Sequence, residues 1–333
     1  MPTGFIQPIR QTKVLRPQEE WKEIIAIYLY MAGMGAGSYI IGAVINWFIN
    51  PSRLISILGF PLDVAKAALL WGPILVAIGA PFLILDLGIK KRFLYAVLNP
   101  RTSWVARGFL ILSIFIVLGL VLLAKSVLPF GWLYPKSSLW YIVEVLAIVF
   151  ALATALYTGI LLKATKSIAL WNTYLLPLLF LVSALSTGSM AIILSTLGTG
   201  LLYLDAAALK ILMGGEQILV VVEGIVLFIY LSRRYKASEQ AKDSVRLLLF
   251  GEKKLLFWGG IVFLGFIFPV VLEGISSLTH GNPVFIFAAG IILLCGGFFL
   301  RLGVLSAGIR EQIPMQRLME IKYELRTMKM KEN

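Results

Sequence analysis

Eight apolar runs, each long enough to cross a lipid bilayer, constrain this chain more than any other feature. They lie at 24–49, 64–85, 105–124, 139–162, 174–198, 211–231, 255–277 and 284–306. A bilayer's hydrocarbon core is crossed by about 20 helical residues, and backbone polar groups inside it must pair within the spanning structure. The runs therefore predict an all-α integral membrane protein with eight transmembrane helices and both termini on one side. With 59% apolar and 14% charged residues, a 333-residue chain is too apolar for a water-soluble globule. The first apolar run lacks the short core and small-residue cleavage pattern of a signal peptide, so the polar, basic N-terminus is expected to be retained.

Charge sets the orientation. Of the 30 Lys and Arg residues, only Arg53, Lys66, Lys125, Lys136 and Lys210 fall on the far side of the predicted spans. The rest share a side with the termini, including the group from Arg301 onward. The positive-inside rule then puts both termini in the cytoplasm of a multi-pass protein of the cell membrane. Basic residues spread over five separate segments are explained by topology and argue against nucleic-acid binding.

The second and third runs meet at PFLILDLGIKKRFLYAVLNPRTSWVAR (81–107), a polar junction at the membrane surface. Ionisable groups placed there need partners, water or a ligand. Asp86 and Arg107 flank it and form a natural ion pair; a carboxylate there is also placed to accept a proton as a general base. Cys295 is the sole cysteine and His280 the sole histidine. One thiolate does not hold an iron–sulfur cluster, and one imidazole does not bis-ligate a haem. Electron transfer would need a diffusing cofactor or a group held by another chain, and no metal site is expected here.

Aromatic residues mark the interfaces, with Trp21, Trp104, Trp171 and Trp258 at the cytoplasmic ends and Trp47, Trp132 and Trp140 at the outer ends. The run Val245 to Phe250 in the longest connection predicts a segment lying along the membrane surface. Leu318, Ile321, Leu325 and Met328 predict a basic amphipathic tail helix on lipid or on a partner. Internal repetition is faint: 32–41 and 184–193 share small residues and a terminal Ile-Ile.

Several residues carry candidate chemistry. Gly33, Gly35 and Gly37 lack the preceding strand of a phosphate-binding loop, so they read as a close-packing face. Trp21, Tyr28 and Gly35 recur every seven residues, as either a wall for a flat ring or an aromatic anchor. Tyr157 lies near the cytoplasmic end of the fourth run, where a buried phenol needs a hydrogen-bond partner. A quinone oxygen would serve, and an interfacial tyrosine is the alternative. Lys66, Glu144, Glu216, Glu223 and Glu273 lie deeper, where each charge costs about 2.5–3.5 kcal/mol. Lys66 and Glu144 are placed to pair, and Glu216 and Glu223 share one helix face. The five form either structural contacts or a proton route from the outer side to the junction.

Three segments resemble the NrfD/PsrC family of membrane subunits from polysulfide-reductase-type complexes. They are YLYMAGMGAGSY (28–39), LDLGIKKRFLYAVLNPRTSWVARG (85–108), whose Leu-Asp-Leu-Gly and Asn99-Pro-Arg-Thr-Ser-Trp104 resemble the family's Leu-Asp-Leu-Gly and Asn-Pro-x-x-Ser-x-Trp pattern, and Tyr157-x-Gly-x-Leu-Leu162 followed by Trp171. The resemblance implies two four-helix bundles, over 24–162 and 174–307, joined by a cytoplasmic connection at 163–173. A cytoplasmic arm at 1–23 and the tail at 308–333 flank them. It also implies a quinone/quinol site, menaquinone-type, in the first bundle. Electrons would pass between it and an iron–sulfur ferredoxin-like subunit serving a molybdopterin catalytic subunit. By position, Tyr157 would hydrogen-bond the quinone, Tyr28 and Trp21 would line its pocket, and Asp86 and Arg107 would order the loop beneath. Family members with a histidine near the start of the first span differ from this chain, where a tyrosine or carboxylate must serve. The other readings are a secondary transporter with coupling Glu and Lys and helices broken at Pro73, Pro177 and Pro269, or a purely structural anchor.

Overall fold

The computed structural model describes residues 23–48, 54–57, 60–63, 68–85, 100–101, 103–127, 138–198, 206–279 and 282–310, together with Gln18, Trp21, Met319 and Tyr323. Asp86, Lys66, Trp132, His280, most of the arm and nearly all of the tail lie outside these residues. The elements run α1 (Glu23–Phe48), β1 (Leu54–Ile57), β2 (Phe60–Asp63), α2 (Ala68–Leu85), α3 (Trp104–Val127) and α4 (Ser138–Ala164). Then follow α5 (Leu175–Gly198), α6 (Ala206–Ala237), α7 (Glu239–Leu249), a π-helix π1 (Leu256–Ile267) that passes directly into α8 (Phe268–Leu278), and α9 (Pro283–Ser306).

Among the described residues, seven helices are long and apolar enough to cross a membrane, π1 and α8 counting as one. This is a multi-pass membrane protein. The run at 64–85 yields the shorter α2, whose apolar stretch is Gly72–Phe82. The purely helical expectation is corrected between α1 and α2. There β1 and β2 pair antiparallel, Leu54 opposite Asp63 and Ile57 opposite Phe60, in a segment whose isoleucines favour extended backbone.

Packing follows two closed circuits. In the first, α1 packs on α2, α2 on α3, α3 on α4 and α4 on α1; in the second, α5 packs on α6, α6 on π1, π1 on α9 and α9 on α5. The circuits share a seam where α1 meets α5 and α9, and α4 meets α5. Small residues make the seam close. A Cβ on Gly37 would run into the backbone of Ala184, and one on Gly188 into the backbone of Gly37 and Ser38. The Ser38 hydroxyl donates across it to the Gly188 carbonyl at 3.2 Å. Gly35 faces the other way, where a Cβ would lie 2.7 Å from the Gly72 carbonyl of α2. The glycine-rich stretch of α1 is a packing surface on two sides.

Prolines do not break the spans. Pro73 lies inside the continuous α2, Pro177 lies in the first turn of α5, and Pro269 opens α8 with no gap after π1. The interrupted helices expected of a transporter are therefore not formed at these positions. Helix α7 is capped by Ser238, whose side chain accepts from the Ala241 N–H, and it buries Ala241, Ser244, Val245, Leu247 and Leu248. The apolar run predicted to lie along the membrane surface thus turns much of its apolar side into the protein core.

Replacing Gly37 by Leu should sharply reduce folded yield and lower the thermal unfolding midpoint in detergent, because a backbone carbonyl cannot yield to the new side chain. Gly214→Ala is the control. Its Cβ would meet nothing within 4 Å, so its midpoint should stay level or rise slightly.

Candidate functional site

Three helices of the first circuit build a tyrosine pair near one end. Tyr28, one turn into α1, is 0% exposed, and Tyr157 of α4 is 1% exposed. These values exclude an exposed interfacial role for either phenol. The two phenols lie within electrostatic reach of each other. Both hydroxyl oxygens are buried with no hydrogen-bond partner among the described residues. An unsatisfied buried group costs about 1–3 kcal/mol, so both hydroxyls are open to a polar partner beyond the described residues. Gly108 of α3 makes the space: a Cβ there would collide with the Tyr157 ring.

Beside this pair the chain before α3 is tied down by its own side chains. Ser103 caps the helix by accepting from the Ala106 N–H at 3.3 Å. Half-buried Arg107 donates from Nε to the Pro100 carbonyl at 2.8 Å and from Nη2 to the Arg101 carbonyl at 2.7 Å. Its guanidinium also lies 4.5 Å from the centre of the Trp104 ring. Arg107 therefore orders the loop through backbone carbonyls. Its expected pairing with Asp86 falls outside the described residues.

Trp21 lies before α1, so it does not continue a helical stripe with Tyr28 and Gly35. It stacks on Trp171 with ring centres 5.5 Å apart and planes 29° apart. Trp171, assigned to the interfacial belt by pattern, is buried at 1% exposure and donates from Nε1 to the Val304 carbonyl at 2.9 Å. Gln18 clamps the same corner. Its backbone N–H reaches the Gly308 carbonyl at 2.8 Å, and its side-chain amide donates to the Leu305 carbonyl at 3.1 Å and the Trp21 carbonyl at 2.6 Å. The buried hydroxyl of Tyr230 donates to the Leu170 carbonyl at 3.0 Å. Ends of α1, α4, α6 and α9 are thereby locked into one platform.

The deeper acids divide between the circuits. Glu144 is half-buried on α4, close enough to Tyr39 of α1 for the two to interact electrostatically. Glu216, Glu223 and Glu273 are buried in the second circuit. Gln217 donates to Glu273 at 3.0 Å, Ser186 donates to Glu216 at 3.3 Å, and Glu216 and Glu273 lie within electrostatic reach of each other. Glu223 lies within electrostatic reach of Arg301, which donates from Nη1 to Ser183 at 3.0 Å. Arg301, counted among the cytoplasmic charges in the sequence, is 0% exposed inside α9. Its guanidinium carbon lies 5.3 Å from the centre of the Tyr30 ring, and a Cβ on Gly33 would press on Nη2. The available signal was an arginine well inside the last apolar run.

A small cavity beside Glu223 and Thr187 offers about 10 Å³ for water-sized spheres, roughly the room one water needs. Among the described residues no cluster of three His, Cys, Asp or Glu side chains is arranged to hold a metal ion.

Residues 14–311 match the family described as polysulphide reductase, NrfD. A chain of the polysulfide reductase of Wolinella succinogenes is 30% identical over 313 residues, covering 86% of this chain and 94% of that protein. Protein NrfD of Escherichia coli is 26% identical over 314 residues, covering 86% and 94%. A subunit of the selenate reductase of Mesobacillus selenatarsenatis is 24% identical over 324 residues, covering 85% and 72%.

Tyr157→Phe should leave the thermal midpoint level or raise it, because it removes a buried hydroxyl with no described partner. Trp171→Phe, which deletes a made hydrogen bond, should cost about 1–3 kcal/mol in the same unfolding assay. A large loss in the first and none in the second would show that the two side chains have been misassigned.

Proposed function

Because the chain belongs to the NrfD family, we propose that it is the quinone-reactive membrane anchor of a multisubunit oxidoreductase. In this reading it exchanges electrons and protons between the quinone pool and an iron–sulfur ferredoxin-like subunit that serves a molybdopterin catalytic subunit. The relatives' names support a complex of this type, since two of them are components of a polysulfide reductase and a selenate reductase. The observation that carries the reading is the unpaired tyrosine pair. A quinone oxygen accepts a hydrogen bond and a hydroquinone hydroxyl both donates and accepts, so either headgroup would satisfy the two phenols.

Oxidation of a hydroquinone releases two electrons and two protons; reduction of a quinone takes them up. Tyr157 is proposed to donate to one oxygen of the ring and fix its position. Tyr28 lines the opposite wall, while Trp21 contributes through its stack on Trp171. Arg107 holds the loop floor, and Asp86, outside the described residues, is the proposed proton acceptor. The electrons would pass between the quinone and the partner docked on the platform that Gln18 and Trp171 assemble. Menaquinone is the proposed quinone type.

The finer architecture belongs to the same proposal. Helix α2 serves as an eighth span, and the two packing circuits are two four-helix bundles. Both termini face the cytoplasm of the cell membrane, by the distribution of Lys and Arg. Lys66, Glu144, Glu216, Glu223 and Glu273 are proposed as stations of a proton route, and the close Glu216–Glu273 contact is its strongest support.

In the intact complex, Tyr157→Phe should lower quinol-linked turnover about tenfold or more while all subunits still co-purify. Unchanged turnover would remove the tyrosine from the site. For the route, Glu216→Gln should slow proton uptake or release by complexes in sealed vesicles during turnover. Equal proton and electron rates in variant and parent would confine Glu216 to a structural role.

A further inference from the structure

A second concavity lies away from the tyrosine pair, between α6, α7 and π1. It is a groove of about 520 Å³ whose walls include Gly224, Leu227, Leu231, Val245, Trp258 and Phe266. That volume falls within the range of about 300–1,000 Å³ typical of small-ligand sites. Its polar groups gather at one end, where Ser232, Tyr235 and Lys236 line the mouth. From Gly224 to Lys236 the helix rises about 18 Å at 1.5 Å per residue, close to the roughly 15 Å depth of one leaflet of the hydrocarbon core. The groove therefore runs from the membrane surface towards the midplane.

Charge at the mouth selects the occupant. Lys242 and Arg246 of α7 lie 5.7 Å and 5.8 Å from the centre of the Tyr235 ring. Arg246 also donates to the Tyr235 hydroxyl at 3.5 Å. Lys236, Lys242 and Arg246 gather at this mouth, whereas Arg234 turns away to donate to the Asn172 carbonyl at 3.1 Å; the acids of the same stretch are Glu239 and Asp243. Glu239 lies 3.8 Å from Lys242 and offsets part of that charge, which leaves the mouth net positive. A long apolar trough headed by cations matches an amphiphile with an anionic head.

We propose that this groove binds one anionic phospholipid, with an acyl chain along Gly224, Leu227, Leu231 and Phe266 and its phosphate at Lys236. The site is distinct from the tyrosine pair. Bound lipid would hold α7 against α6 and π1. Helix α7 in turn supports the platform, because the Ser244 hydroxyl accepts from the Ile309 N–H at 3.2 Å and Arg310 bridges to Ile168.

The test uses the full chain purified in detergent and titrated with phosphatidylglycerol or phosphatidylcholine, with bound lipid counted by native mass spectrometry. Lys236 is exposed, so Lys236→Glu should fold normally. A Cβ on Gly224 would stand 3.8 Å from the nearest atom of the Phe266 ring, so Gly224→Leu should fill the trough without disturbing the helix. One phosphatidylglycerol should be retained by the parent chain, and its affinity should fall about tenfold or more in each variant. The thermal midpoint without added lipid should be unchanged. Equal retention of phosphatidylcholine, unaltered phosphatidylglycerol binding in both variants, or a quinone displaced by Gly224→Leu would each overturn the proposal. Quinol-linked turnover is read separately, so failure here leaves the tyrosine assignment standing.

Discussion

The crossing of α1 and α5 determines where the other helices can go. Gly33 and Gly37 on one side, and Ala184 and Gly188 on the other, repeat at a spacing of four and let the two backbones touch. In a bilayer no hydrophobic force drives helices together, because lipid tails are as apolar as leucine. Close van der Waals contact and interhelical hydrogen bonds replace it, and the Ser38–Gly188 bond supplies one here. These two helices are the most buried of the seven candidate spans, and each belongs to one packing circuit. Their contact is the hinge on which both circuits are hung.

From that position α1 addresses both circuits with residues two apart. Tyr28 lies within electrostatic reach of Tyr157, whereas Tyr30, on the opposite side of the helix, lies under the Arg301 guanidinium of α9. A step of two residues turns a helix by about 200°, so one short segment carries one phenol into each half of the protein. The tyrosine pair and the buried acid line are consequently neighbours through a single helix. Any shift of α1 would move both. This arrangement gives a physical basis for linking the proposed quinone site to charge in the second circuit.

Much of the site was legible because some residue types announce themselves in lipid. Tyr157 and Tyr28 stood out as polar groups at matching depth, and Glu216 and Glu223 as acids on one face of an apolar run. All four are buried in the structure. Gly108 gave no such signal, since its role is to be absent from the volume that the Tyr157 ring fills. Trp171 was misread for a related reason: an indole near a helix end is usually interfacial, and only the stack with Trp21 and the bond to Val304 turn it inward. Arg301 was tallied with the surface charges because charge counts carry no information on which way a side chain faces.

Hydropathy along the chain by itself determined the membrane class, the positions of the long helices and, through three ordered motifs, the family. These are local properties, set by segment length and by the need to pair backbone groups within the span. Tertiary structure alone decided which apolar faces meet protein and which meet lipid, that a π-helix runs into α8, and that Arg301 lies inside. The reason is that lipid and protein interior are equally apolar surroundings for a helix face. The distinction appears only when backbones touch at glycine and a buried polar atom either finds its partner or, like the two tyrosine hydroxyls, has none among the described residues.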